Sequence, residues 1–280
     1  VVYISDRRGD YNFDGKYKME DVFPTTNNLL DEDLDNNGSI DTDYNFEAAE
    51  PDSVAESGES AVTDHYYYRR GIRLINGEVL PGKYVVNNPS ETRGFTIASE
   101  NGVYVLGNYN VESVSLSGTN EAADSTDYKP QNSENHIPAS IIADSVTVLS
   151  NNWNDSNSFN SPYNYNGRVA TPTQYRFAMI AGDSLTSRNT TDSFAYSGGL
   201  INFKRFLESW YNVRLNYSGS LINLFNSFNN NGRYNYGTPY YFPPTRDWTF
   251  ESTFKDPNRL PPGVPFVNNI TFTGFQRVNE

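Results

Sequence analysis

The chain has 280 residues and carries 34 acidic against 21 basic side chains, a formal net charge of -13. That balance argues against nucleic acid as a partner, because phosphate binding needs clustered Lys and Arg. Aromatics make up 15% of residues although only 36% are hydrophobic, a content that disordered chains lack, and no apolar run approaches the roughly 20 residues that span a bilayer.

Residues 1–60 are acidic, rich in Asn and almost without periodic apolar pattern. Such a segment needs something other than a core to order it. Asp10-Tyr11-Asn12-Phe13-Asp14-Gly15-Lys16, ending at Asp21, fills every position of a calcium loop. Oxygen side chains fall at positions 1, 3 and 5, Gly at 6 makes the sharp turn, the Lys16 carbonyl serves at 7 and Asp21 closes at 12. The closing Asp resembles dockerin-like extracellular loops. A second copy follows at Asp33, Asp35, Asn37, Gly38, Ser39 and Asp41, with Ile40 as the hydrophobic residue at position 8. Its position 12 is Tyr44, so Asp43, Glu47 or water must complete the shell. The expected cofactor is Ca2+, and the expected ligands are Asp10, Asn12, Asp14, Lys16, Asp21, Asp33, Asp35, Asn37, Ser39 and Asp41.

From residue 61 to 280 the character is that of a β-rich ectodomain. Ile72-Arg73-Leu74-Ile75 and Lys83-Tyr84-Val85-Val86 flank Asn76-Gly77, a strong signal for a hairpin turn. Further strands are expected at 94–98, 102–108, 139–143, 145–150, 176–182, 213–217 and 219–225, each short, rich in β-branched residues and closed by Gly, Asn, Asp or Ser. Several come in close pairs, as when Phe95–Ile97 precedes Val103–Leu106. A parallel β-helix makes such pairs where the chain turns from one face to the next. The expected fold is therefore mostly β, a β-solenoid or β-helix-like ectodomain with long polar loops; no fixed period is visible, and a sandwich is the alternative. Phe203, Phe206, Leu207 and Trp210 recur at three- and four-residue spacing, which predicts one short packing helix over about 200–210. The Pro- and aromatic-rich C-terminus reads as an extended strap.

The signals for catalysis are weak. Gly182-Asp183-Ser184-Leu185 spells the GDSL hydrolase nucleophile, but those enzymes take their His from downstream and both histidines, His65 and His136, lie upstream. Two histidines and no Cys fit no zinc pattern, and no phosphate-binding Gly loop is present. The chain reads as no enzyme. Arg8-Gly9-Asp10 spells an integrin-type tripeptide whose Asp is already committed to the first loop. Trp153, Tyr163, Tyr165, Tyr234, Tyr236, Tyr240 and Tyr241 are candidates for stacking on sugars or on neighbouring subunits. Having no Cys, the chain fits a bacterial extracellular protein stabilised by calcium rather than by disulfides.

Several ordered runs, Gly102–Asn110, Pro138–Trp153, Phe177–Gly182, Gly198–Trp210, Tyr217–Ile222 and Asp256–Pro265, resemble the PilX-like, type IV pilus-associated surface proteins of bacteria. The resemblance covers residues 1 to 270. It implies a β-helical ectodomain displayed by a pilin-type N-terminal helix, and no catalytic residues. This chain opens on Val1-Val2-Tyr3 without that helix, so either the helix was cleaved or a separate short hydrophobic pilin chain supplies it. The implied role is a structural or adhesive subunit of an extracellular, cell-surface filament, contacting identical subunits and a glycan or surface receptor. The alternative is a secreted carbohydrate-binding or carbohydrate-active β-helix.

Overall fold

The computed structural model describes residues 1–6, 71–85, 87–111, 136–160, 165–183, 204–227 and 241–266. Within them the chain is mostly β, with one short helix, α1 (Asp155–Asn160). A five-stranded sheet runs in the order β1 (Val2–Ile4), β3 (Phe95–Ser99), β5 (Ala139–Ala143), β8 (Ala178–Ala181) and β11 (Leu221–Ile222). A four-stranded sheet holds β2 (Gly71–Leu74), β4 (Gly102–Leu106), β6 (Val146–Leu149) and β9 (Lys204–Arg205). The third sheet is three-stranded, with β10 (Arg214–Gly219) between β7 (Thr173–Arg176) and β12 (Thr245–Phe250).

Every ladder between these strands is parallel. Position within each sheet follows position in the chain, so the chain visits one sheet, then another, and returns beside its earlier strand. Each such passage is one circuit. Strands buried on both faces read as continuous apolar runs rather than alternating ones, as Ala139-Ser140-Ile141-Ile142-Ala143 and Val146-Thr147-Val148-Leu149 do. The close strand pairs change sheets: β3 and β4 belong to different sheets, as do β5 and β6.

Register aligns like with like between circuits. Ile97 pairs with Ile141 and Ile141 with Met179, forming a buried column in the five-stranded sheet. Val103 pairs with Val146 and Val105 with Val148, again buried. In the third sheet Tyr175 pairs with Tyr217, Tyr217 with Trp248, and a single parallel bridge adds Tyr109 beside Tyr175. Phe177 stands edge-on to this aromatic column, its centroid 5.4 Å from Tyr109 and 5.7 Å from Tyr217. Edge-to-face pairs of this kind add roughly 0.5–1.5 kcal/mol beyond the area they bury. The Tyr217 hydroxyl donates to the Phe177 carbonyl at 2.6 Å and the Tyr175 hydroxyl to the Leu149 carbonyl at 2.7 Å, so these two buried phenols are satisfied.

Four local expectations are corrected. No hairpin forms at Asn76-Gly77: β2 pairs in parallel with β4, and Lys83 meets Arg93 in a single antiparallel bridge. Asn76 does adopt a left-handed conformation, φ 55°, but that geometry suits any sharp change of direction. Gly77 instead pairs with Tyr109, and a Cβ there would fall 2.3 Å from the Tyr109 ring. The described part of the expected helix, residues 204–210, is strand β9 followed by extended chain in which Ser209 bridges Val169 and Phe242. Phe206, Glu208 and Trp210 alternate inward, and a four-residue spacing satisfies a period of two as well as one of 3.6. The expected strand 176–182 is divided at Phe177, with β7 and β8 in different sheets. Finally, β1 and β12 arise in segments read as loop and strap.

Residues 261–263 lie against the five-stranded sheet. Thr96 donates to the Pro262 carbonyl at 2.6 Å and also lies 2.8 Å from the Ser140 hydroxyl. Gly94 has no room for a side chain there, since a Cβ would sit 2.6 Å from the Pro138 carbonyl.

Candidate functional site

The expected calcium ligands, Asp10, Asn12, Asp14, Lys16, Asp21, Asp33, Asp35, Asn37, Ser39 and Asp41, lie outside the described residues, as do His65, Ser184, Tyr163, Tyr234, Tyr236 and Tyr240. Among the described residues no group of three or more His, Asp or Glu side chains is placed to hold a metal ion. No helix among them is long and apolar enough to cross a membrane. Of the Gly-Asp-Ser-Leu run, Gly182 and Asp183 are described. Asp183 pairs with Asn226, and a Cβ on Gly182 would lie 2.5 Å from the Ser227 amide nitrogen. Close backbone approach between circuits therefore accounts for that Gly.

Among the described residues, one charged cluster is buried against the third sheet. Glu251 follows β12, His136 precedes β5, Arg176 ends β7 and Ser218 lies in β10. Glu251 Oε2 is 3.1 Å from His136 Nε2 and 3.7 Å from Arg176 Nε, and it accepts from the Ser218 hydroxyl at 3.1 Å. Oε1 accepts from the Thr253 amide and hydroxyl at 3.1 and 3.0 Å. Burial alone would raise the Glu251 pKa; His136, the Thr253 amide and the Arg176 guanidinium outweigh it and hold the carboxyl below its ordinary value. A carboxylate beside an imidazole is also the hardware of general acid–base catalysis. Here Glu251, His136 and Arg176 are each at most 1% exposed, so the cluster, as placed, works as a clamp. It ties the turn after β12 to strands from two earlier circuits.

A second carboxylate, Glu208, does the same beside β6. It accepts from the Ser150 amide and hydroxyl, both at 2.6 Å. Burial pushes its pKa up, against the opposing pull of the Ser150 bonds and the Arg168 charge. Arg168 Nε donates to the neighbouring Leu207 carbonyl at 2.7 Å. Neither carboxylate is singled out by the sequence: Glu208 reads as the polar side of a helix, and Glu251 as one acid in a Pro-rich tail. His136 alone carries a signal, as a titratable side chain whose place upstream of Ser184 fits no nucleophile pairing.

The described aromatics divide by environment. Tyr241 is buried on Phe206, centroids 5.3 Å apart, and so contributes to the core. Trp153 donates from Nε1 to Asp155 at 2.8 Å, and Asp155 in turn accepts from Arg73 at 2.8 and 2.9 Å. The Arg73 and Trp153 hydrogen bonds lower the Asp155 pKa. Tyr165 is partly exposed. Tyr211, which sequence reading passed over, is 62% exposed and packs edge-on against Phe242 at 4.9 Å. Ser209 bridges both Phe242 and the exposed Val169, which puts an apolar, aromatic strip on the surface.

Comparison of the chain with protein-family models, with curated proteins and with solved structures finds no match in any of the three.

Proposed function

We propose that this chain is a structural or adhesive subunit of an extracellular, type IV pilus-like filament, built on a β-solenoid ectodomain and stabilised by calcium in its N-terminal segment. The observation that carries the reading is the succession of parallel strands, each circuit laid in register on the last. Chains that stack in this way form quasi-one-dimensional bodies in which each layer supports its neighbours. Such a body suits a displayed, load-bearing part. The resemblance of the Gly102–Asn110, Pro138–Trp153 and Phe177–Gly182 runs to PilX-like surface proteins points the same way, and the paired acidic loops supply the calcium sites. A separate short, hydrophobic pilin chain would anchor the ectodomain at the cell surface.

Electron microscopy of material sheared from cells that display the chain tests this reading. The expected result is filaments containing this chain together with a short helical polypeptide. A chain recovered only as a monomer, with no helical partner, overturns it. The strip formed by the exposed Val169 and Tyr211 with the half-buried Phe242 favours a second reading, in which the surface binds glycans by ring stacking. Retention on polysaccharide that is lost in Tyr211→Ala would support that alternative.

A further inference from the structure

The two outer strands of the five-stranded sheet have opposite positions and the same direction. Among the described residues β1 forms one edge and β11 the other, with every ladder between them parallel. A strand edge presents unpaired backbone donors and acceptors that template further pairing. Both edges are also apolar. Val2 is 44% and Tyr3 64% exposed at one, and Leu221 is 38% exposed at the other, beside Leu224 at 65%. Neither β1 nor β11 contains the charged residue or Pro that natural edges use to discourage pairing.

We propose that these edges join copies of this chain end to end, β11 of one copy pairing in parallel with β1 of the next. Polarity selects this partner. In a wholly parallel sheet, a translated copy meets β11 with a β1 that runs in the same direction and keeps the same face inward, whereas two β1 edges brought together by a two-fold axis normal to the sheet would run antiparallel, and by one along the strands would swap the two faces. Register selects it too. One column of the sheet reads Val2, Ile97, Ile141, Met179, Leu221, and the next reads Tyr3, Ala98, Ile142, Ile180, Ile222. A following copy continues both columns, with its Val2 beside Leu221 and its Tyr3 beside Ile222. The contact is head-to-tail, and such contacts propagate into open filaments when the rotation between copies does not close. This inference rests on the filament reading and adds how the ectodomains meet within it.

The chain has no Cys, so an introduced pair reports unambiguously. Tyr3→Cys and Ile222→Cys in one full-length chain lie at opposite edges, roughly 19 Å apart at about 4.8 Å per strand. That is too far for a disulfide within the chain, since bonded Cα atoms lie about 4.4–6.8 Å apart. Adjacent copies in the proposed register bring them within bonding reach. Mild oxidation is expected to give a ladder of covalent multimers from the double variant, and dimers only from an equal mixture of the two single variants. A control chain with Tyr3→Cys and Phe250→Cys should give no ladder. Filaments that assemble without the ladder, or a control ladder of equal strength, overturn the end-to-end pairing and leave the filament reading standing. A monomeric chain with no ladder overturns both.

Discussion

Gly219 ends β10 where the backbone passes the corner at Phe177, and a Cβ there would sit 2.0 Å from the Phe177 carbonyl oxygen. The obstacle is backbone, so it cannot be moved by a change of rotamer. Gly219→Ala is expected to cost about 3 kcal/mol, at the upper end for an added methyl in a packed interior, read as a lowered urea midpoint. Glu251 and Glu208 make a contrasting pair. Gln in place of Glu251 removes the charge facing His136 and Arg176, and breaking a buried charge pair typically costs about 3–5 kcal/mol. Gln in place of Glu208 can still accept from the Ser150 amide and donate to its hydroxyl, so its cost should stay within about 1 kcal/mol. Their pH slopes have opposite sign. The lowered Glu251 pKa gives stability that is present above the ordinary carboxylate pKa of about 4.3 and lost as pH falls below it. The raised Glu208 pKa favours the folded state in acid, an effect that fades as pH rises through the folded value. Glu251→Gln should therefore flatten the acid limb of the stability curve, and Glu208→Gln should steepen it.

At the scale of elements, Phe177 divides what would otherwise be one strand. Its ring fills the space between Tyr109, Tyr175 and Tyr217, while its backbone turns the chain from the third sheet into the first. Phe177→Ala should cost about 3–5 kcal/mol, and near-ultraviolet circular dichroism should lose the signal of ordered tyrosines. This corner was not legible in the run Arg176–Gly182, because composition marks apolar runs and not the point where one changes sheets. The runs themselves were legible. Phe95–Ala98, Val103–Leu106, Ile141–Ala143 and Val146–Leu149 are strands as their β-branched residues imply, and the shortness of the segments between them foretold a change of sheet. Pairing partners were hidden, since parallel neighbours lie a whole circuit apart and leave no local turn signal. Asn76-Gly77 and the Phe206/Trp210 spacing failed for the same reason: each is a local pattern compatible with more than one geometry, and contacts from distant strands chose. Of the candidate site, the acidic loops rest on sequence alone, whereas the buried carboxylates became recognisable only once three circuits were brought together.

For the whole molecule, the sequence of the acidic N-terminal segment holds few apolar side chains, so calcium in the proposed loops would supply free energy by ligation, since any ion bound only by the folded form stabilises it by linkage. Chelation should then lower the melting temperature or open residues 1–60 to protease, and Asp14→Ala should weaken calcium binding more than Asp43→Ala in calorimetric titration. Unchanged melting and unchanged proteolysis in excess chelator would count against both loops.

The direction of the backbone hydrogen bonds also has a mechanical consequence. They run from circuit to circuit, as when the Phe177 amide donates to the Ser218 carbonyl and the Met179 amide to the Ser220 carbonyl. Tension applied along that direction loads the ladders in series, so the weakest terminal layer peels first and the remainder stays intact. Tension across it shears all ladders of a layer together. Thr96 and its neighbour Ser140 are 44 residues apart, and a released length of that size extends by roughly 150 Å at about 3.4 Å per residue. Pulled from its two ends by a force probe, the chain should lengthen in successive steps of that order at modest force. A single abrupt rupture of the whole body would mean that the layers are locked together by something other than their nearest neighbours.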